Sequence, residues 1–412
     1  MVVKIQKIFD SFDENYIFKN KNILQTGYTP EDISHRDEQI NQIASILAPI
    51  LRGERPSNLF LYGMTGTGKT LSIKYVKDEL LKRAKKESDV KLKIIYINCK
   101  IGRIAETEYR ILAKIITQLH GSVPETGLPT DTVYRRFVDL IDTEKQLIVL
   151  VLDEIDELVK KISDGFLYNL TRLNSELSKS KICVVGISNN TNFLNDVNPR
   201  VKSSLSEEEI VFHPYNAIQL KDILEKRCKE AFKENVLEGT IVSKCAAFAA
   251  KVDGDARRAL DLIRVAGELA ERDGSKKVKE AHIDEANNKI ERDKILDVIS
   301  GGPRQFKIVL HSIIQLSEKS EKQRKLGGSN NESFFTGDVY NYYCDFCEKN
   351  NFDRLTQRRV GDIIQEMDML GVINVRVISK GRHGRMREIK LIIIKNILEK
   401  AKEIINKSLT YS

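Results

Sequence analysis

An α/β fold built on a parallel sheet, followed by helical elements and a C-terminal set of helices with a hairpin, is what three stretches of this 412-residue chain predict. An apolar strand runs into G-x-x-x-x-G-K-T at Asn58 to Thr70. A continuously apolar run, Leu147 to Leu152, ends in Asp153-Glu154. Near the C-terminus, three amphipathic stretches precede two alternating ones joined by a basic, glycine-containing turn.

The first stretch carries the most chemistry. Leu59 to Tyr62 reads as a buried strand, and the residues after Leu71 carry apolar side chains at helical spacing. Between them Gly63, Thr65, Gly66, Thr67, Gly68, Lys69, Thr70 and Leu71 form a loop opening a helix. Glycines let the backbone turn so that successive N–H groups and the helix N-terminus face phosphates. In such a loop the lysine reaches the β/γ oxygens and the Thr hydroxyl ligates Mg²⁺, so Lys69 and Thr70 are the candidates and ATP/ADP with Mg²⁺ the expected cofactors.

The second stretch reads as a central strand of a parallel sheet. Asp153 at its end is expected to hold the Mg²⁺ with Thr70. Glu154 is placed to orient and deprotonate an attacking water. Ile182 to Ser188 reads as a further buried strand, after which Asn189 is placed to touch a γ-phosphate or the lytic water. Arg200 stands in a surface turn. Arg257 opens a helix after Gly254-Asp-Ala, from where it can fold back on the phosphates.

Charged residues make up 31% of the chain, and no apolar run approaches the ~20 residues of a membrane span. The N-terminus lacks a signal-peptide core and reads as mature sequence. Six scattered cysteines suit a reducing compartment, and Cys344-Asp-Phe-Cys347 lacks the second pair that zinc needs. A cytoplasmic protein is therefore expected. The net charge of +8 is uneven: from Leu296 onward 20 Lys/Arg face 14 Asp/Glu, a surplus of six. Gly371 to Lys390 holds Arg376, Lys380, Arg382, Arg385, Arg387 and Lys390 against Glu388 alone.

The surroundings give this patch a shape. Gly301-Gly302-Pro303 breaks the chain, Gln305–Leu316 and Thr336–Glu348 read as helices, and Thr356 caps a third that Gly371 closes. Strands over Val372–Ser379 and Met386–Ile394 follow. Three helices and a basic hairpin make a winged helix, whose third helix enters the major groove while the hairpin lies along phosphates or the minor groove. Arg358 and Arg359 start that helix. Lys380, Gly381, Arg382, His383, Arg385 and Arg387 belong to the hairpin. A protein-docking winged helix with a solvated hairpin stays open as an alternative. Lys82–Lys93 reads as a charged helix end and loop, and Ser317–Ser333 as a polar, mobile connection.

In this order the motifs resemble those of the AAA+ ATPases. Lys69-Thr70, Asp153-Glu154, Asn189, Arg200 and Arg257 look like the phosphate loop, acidic box, first sensor, trans-acting arginine finger and second sensor. Pro199-Arg-Val-Lys-Ser-Ser-Leu, Pro214-Tyr215-Asn-Ala, Gly254-Asp-Ala-Arg257-Arg-Ala-Leu, Gln357-Arg-Arg-Val and Ser379-Lys-Gly-Arg-His-Gly-Arg-Met-Arg-Glu look like the archaeal replication-initiator family. That family is related to the largest origin recognition complex subunit and its helicase-loading partner.

The resemblance, from about His35 onward, implies an ATP-dependent initiator that binds and deforms duplex DNA at replication origins and helps recruit the MCM helicase, with weak, Mg²⁺-dependent hydrolysis as a switch. A paralogous initiator on adjacent DNA is a further implied partner. It implies that Tyr215 and Arg227 contact nucleotide, that Arg36 lies in the box beside the adenine, and that an inserted helix near Pro124–Arg136, with Thr130 and Arg135, meets the minor groove. It implies a base over 1–213, a lid over 214–294 and the winged helix over 295–412. Two other classes share parts of the pattern: a clamp-loading or remodelling ATPase, and a winged-helix transcription regulator with a nucleotide sensor.

Overall fold

The computed structural model describes residues 17–30, 32–87, 91–100, 107–124, 126–191, 193, 197–205, 207–325, 334–379, 385–393 and 395–410. The chain parts into two compact units, 1–283 and 284–412.

In the first unit the strands Asn58–Tyr62 (β1), Lys91–Asn98 (β2), Gln146–Asp153 (β3), Lys181–Ser188 (β4) and Glu207–Val211 (β5) pair in the order β2-β3-β4-β1-β5. Every pairing is parallel. β3 is buried at all eight positions, as a strand covered on both faces must be. Its side chains alternate between two cores. Ile148, Leu150 and Leu152 join one core with the helices Glu108–Gln118, Thr130–Ile141, Ile155–Ile162, Gly165–Arg172 and Pro199–Leu205. Leu147, Val149 and Val151 join the other, with Ile43 and Leu47 of Asp37–Leu47 and Ile73, Val76 and Leu80 of Lys69–Glu87. Numbered along the chain, these helices are α1 (Asp37–Leu47), α2 (Lys69–Glu87), α3 (Glu108–Gln118), α4 (Thr130–Ile141), α5 (Ile155–Ile162), α6 (Gly165–Arg172) and α7 (Pro199–Leu205).

Lys91–Asn98 corrects the expectation of a loop reaching Lys93. β2 starts at Lys91 because it is a sheet edge, where exposed lysine fits a strand. The lid follows as Ala217–Ala231 (α8), Ile241–Val252 (α9) and Ala256–Arg272 (α10). Asn216 and Gln219 form a reciprocal cap on α8, and Asp255 caps α10 through the Arg257 N–H. Glu280–Gly301 (α11) is one continuous helix through residue 294, and the Gly-Gly-Pro break ends it.

In the second unit, Arg304–Lys325 (α12), Thr336–Lys349 (α13) and Gln357–Met369 (α14) surround an apolar core with Phe306, Ile313, Tyr343, Val360 and Ile364. Phe334–Phe335 (β6), Ile373–Ser379 (β7) and Arg385–Leu391 (β8) form an antiparallel sheet in the order β6-β8-β7, and Lys395–Thr410 (α15) follows. This is the winged helix, with one correction. Ser317–Lys325 continues α12 and is not a loose connection, since Glu, Lys and Gln are good helix formers; the rest of that stretch, 326–333, lies outside the described residues. Two ties hold it: Lys402 bonds Glu318, and the Lys319 ammonium sits 4.7 Å over the Tyr342 ring. Among the described residues no helix is long and apolar enough to cross a membrane.

Candidate functional site

The carboxyl ends of β1, β3 and β4 open into a cavity of about 900 Å³ within the first unit. Thr65 to Leu71 line one wall, Asp153, Glu154 and Asn189 another, and Tyr215, Arg227 and Arg257 reach it from the lid side. Gly63, Gly66 and Gly68 have φ of +149°, +74° and +95°, which side-chain-bearing residues rarely adopt. Gly63 is also crowded: a Cβ there would lie 2.3 Å from the Phe212 carbonyl oxygen.

Lys69 is 5% exposed, and its Nζ donates to the carbonyls of Gly63 (2.6 Å) and Met64 (2.8 Å) and to Asn189 Oδ1 (3.0 Å). Burial pushes its pKa down to about 8, with Asp153 opposing the shift. The Thr70 hydroxyl donates to Asp153 Oδ2 at 2.9 Å, so the two oxygens converge on one point. Tyr96 donates to the same carboxylate oxygen, and burial first, then Asp153, pushes its phenol well up. Glu154 has φ +57°, a left-handed conformation costing roughly 1–2 kcal/mol for a residue with a Cβ. That turn leaves its carboxylate at the cavity, 3.4 Å from Lys100 Nζ. A buried cation ringed by oxygens, beside a hydroxyl–carboxylate pair, fits a triphosphate and a divalent ion in chemistry and in size.

The other expected residues divide. Arg227 lines the cavity, stacks 4.6 Å over Tyr28 and is pushed down in pKa by burial. Arg36 does not line it: its guanidinium is spent on the Thr67 and His213 carbonyls. Arg200 lies apart, in an open groove with Arg55 and Arg172. Residues that sequence reasoning missed include Tyr28, Tyr96 and Asp255. Asp255 is legible as the cap before α10, whereas Tyr96 lies on β2, of which only the start, 91–93, falls in the stretch expected as helix end and loop.

On α4, Val133 and Phe137 face the core while Arg135 stays exposed, and half-buried Thr130 starts the helix after Pro129. In the second unit Arg358 and Arg359 are exposed at the start of α14, with Thr356 accepting the Arg359 N–H. Arg387 on β8 donates to the Gly361 carbonyl of α14 at 3.1 Å, tying hairpin to helix. Arg385 pairs with Ser379 through its backbone, and Lys380, Gly381, Arg382 and His383 lie outside the described residues.

A five-stranded parallel sheet with a phosphate loop, a helical lid and a winged helix defines a nucleotide-binding AAA+ protein with a C-terminal winged helix. Three family models match in that order: an AAA domain at residues 52–190, a Cdc6 AAA+ ATPase-type lid domain at 221–288 and a CDC6 C-terminal winged helix domain at 297–401. The chain is 48% identical over 401 residues to the ORC1-type DNA replication protein of Thermococcus onnurineus, covering 94% of this chain and 93% of that one. It is 47% identical over 405 residues to the protein of that name from Pyrococcus furiosus, covering 96% and 93%. Among solved structures, the Aeropyrum pernix ORC1 protein in complex with DNA matches with a TM-score of 0.81 and 41% identity, over 96% of this chain and 98% of that one. The chain belongs to the ORC1-type DNA replication proteins.

Proposed function

We propose that this protein is an ATP-dependent replication initiator that binds duplex DNA at origins, deforms it and helps recruit and load the MCM helicase. The observation that carries the reading is likeness, over nearly the whole chain, to an ORC1 protein held in a complex with DNA. Base, lid and winged helix are taken as 1–213, 214–294 and 295–412, and a paralogue on adjacent DNA is a further partner. The protein works in the cytoplasm, on the nucleoid.

When bound, Mg²⁺-ATP would supply the phosphoanhydride bond to be broken and a divalent cation to neutralise the charge on its phosphate oxygens. Lys69, now on two carbonyls, would be free to bond phosphate oxygens, and Thr70 and Asp153 would hold the ion. Tyr96 keeps the Asp153 carboxylate aimed. Glu154 takes the proton of a water that Asn189 helps to place, and Arg257 reports nucleotide to the lid. Arg200, outside the cavity, is left for the nucleotide of a neighbouring copy. Arg358 and Arg359 supply phosphate contacts and register, with Arg382, Arg385 and the inserted-helix residue Arg135 adding charge.

Genome-wide mapping of the bound protein tests this. Peaks at one or a few replication start sites, sharpened by the hydrolysis-blocked Glu154→Gln variant, are expected. A scatter over promoters, with replication start sites unmarked, would instead make the protein a transcription regulator.

A further inference from the structure

Arg36 is a buried charged side chain that does not line the cavity. It is 4% exposed, just before α1, and burial lowers its pKa. Nε donates to the Thr67 carbonyl in the phosphate loop at 2.8 Å, and Nη2 donates to the His213 carbonyl, where β5 leads into the lid, at 2.6 Å. Its guanidinium lies 3.8 Å over the ring of Tyr215. The Tyr215 hydroxyl in turn abuts the loop: a Cβ on Gly68 would come within 2.8 Å of it. Tyr215 N–H donates to the Gly254 carbonyl, and two residues on, Ala256 N–H donates to the Gly66 carbonyl. The neighbouring His35, at φ +62°, reaches Asp222 of α8 at 3.0 Å.

Among the described residues Arg36 has no carboxylate partner within ion-pair distance. Its charge is met by carbonyl oxygens and ring faces. Burying an ion this way is costly, and an apolar side chain would fill the space at less expense. A planar guanidinium bonded to two carbonyls through different nitrogens, however, fixes their separation and mutual angle, which a single ammonium cannot do.

We infer that Arg36 is a positioning residue that locks the phosphate loop to the base–lid junction, so that occupancy of the loop reaches the lid through the Thr67–Arg36–His213 bridge and the Arg36–Tyr215 stack. This rests on the nucleotide-binding reading and deepens it. Movement of the loop carries residues 213–215 with it, and those residues carry α8 and the turn at Gly254. The lid senses nucleotide through its own side chains and also through the back of the loop.

Hydrogen exchange on the full-length wild type, Arg36→Ala and Arg36→Lys, each with and without saturating ADP, tests the inference. In the wild type, ADP slows exchange at both 63–72 and 214–231. In Arg36→Ala, 63–72 is still slowed, while the ADP-dependent slowing at 214–231 falls severalfold, to the part that Arg227 and its neighbours carry directly. Arg36→Lys brings the thermal midpoint back toward wild type without restoring the lid response, and it carries the test alone if Arg36→Ala does not fold. Wild-type lid protection in Arg36→Lys overturns the inference and leaves nucleotide binding standing. A wild-type loop that ignores ADP removes both.

Discussion

Raising the pH from 7 to 9 should weaken nucleotide binding, and Lys69 sets the size of the effect. In the free protein its ammonium is buried, held by two carbonyls and an amide oxygen, with a pKa near 8. Bound phosphates would hold the proton on, because they replace neutral acceptors with anionic ones. Above pH 8, binding must therefore take up a proton. Affinity falls by about tenfold between pH 7 and pH 9, and at pH 8.5 about three quarters of a proton is absorbed per ligand bound. Calorimetric titration with ADP in two buffers of different ionisation enthalpy measures both quantities. Lys69→Arg, charged throughout this range, should bind more weakly but with a flat pH profile. Folding has the opposite slope: an unfolded Lys near 10.5 binds more protons than the folded one, so the cost of burying Lys69 is full below pH 8 and fades as pH rises toward 10.5. Equal ADP affinity at pH 7 and 9, with no buffer-dependent heat, would refute the reasoning.

Lys69→Ala should lose nucleotide binding, whereas Glu154→Ala should bind ATP and fail to turn it over; wild-type turnover in Glu154→Ala removes that residue as the base. Gly63→Ala should destabilise the loop by about 1–3 kcal/mol, because its methyl meets the Phe212 carbonyl in a left-handed turn; an unchanged melting temperature argues against the packing described. Arg358→Ala with Arg359→Ala should weaken duplex binding and lower the slope of log K against log salt by about 2, and an unaltered slope takes the start of α14 out of the interface. Phe137→Ala, at a fully buried position of α4, should cost about 3–5 kcal/mol in denaturant unfolding; a loss under 1 kcal/mol would mean that the helix is not anchored there.

What the sequence made legible was local chemistry with a fixed spacing. The glycine loop, the acidic strand end and the α14 cap each sit within a dozen residues, where turn geometry and periodicity speak directly. β2 escaped because an edge strand tolerates lysines at 91 and 93, and these read as the tail of a charged helix. The C-terminal half of α12 escaped because its anchors, Glu318 to Lys402 and Lys319 to Tyr342, are tertiary. Residues 25–30 and 32–34, which line part of the cavity, have no period to detect. Arg36 was visible as part of a family motif, yet two of its three carbonyl partners lie 31 and 177 residues away and carry no sequence signal.

Strand order and register then decide which of the legible pieces can work together. β4 runs between β3 and β1, with Ile187 level with Asp153 and Ser188 level with Tyr62, so the residue after β4 emerges between the acidic strand end and the phosphate loop. That places Asn189 within 3.0 Å of the Lys69 ammonium, 120 residues distant in sequence. Alternation settles the rest. Asp153 follows Val149 and Val151 on the sheet face packed by α2, and Tyr96, level with Val151 on β2, shares that face. Thr70, at the start of α2, therefore meets Asp153 from above while Tyr96 meets it from the side. A register slip of one residue would send the carboxylate into the opposite core, among Leu150 and Leu152. Glu154 is the next residue along and would face away by the same alternation. Its left-handed backbone keeps it at the cavity, which is why strain is found there and not at Asp153.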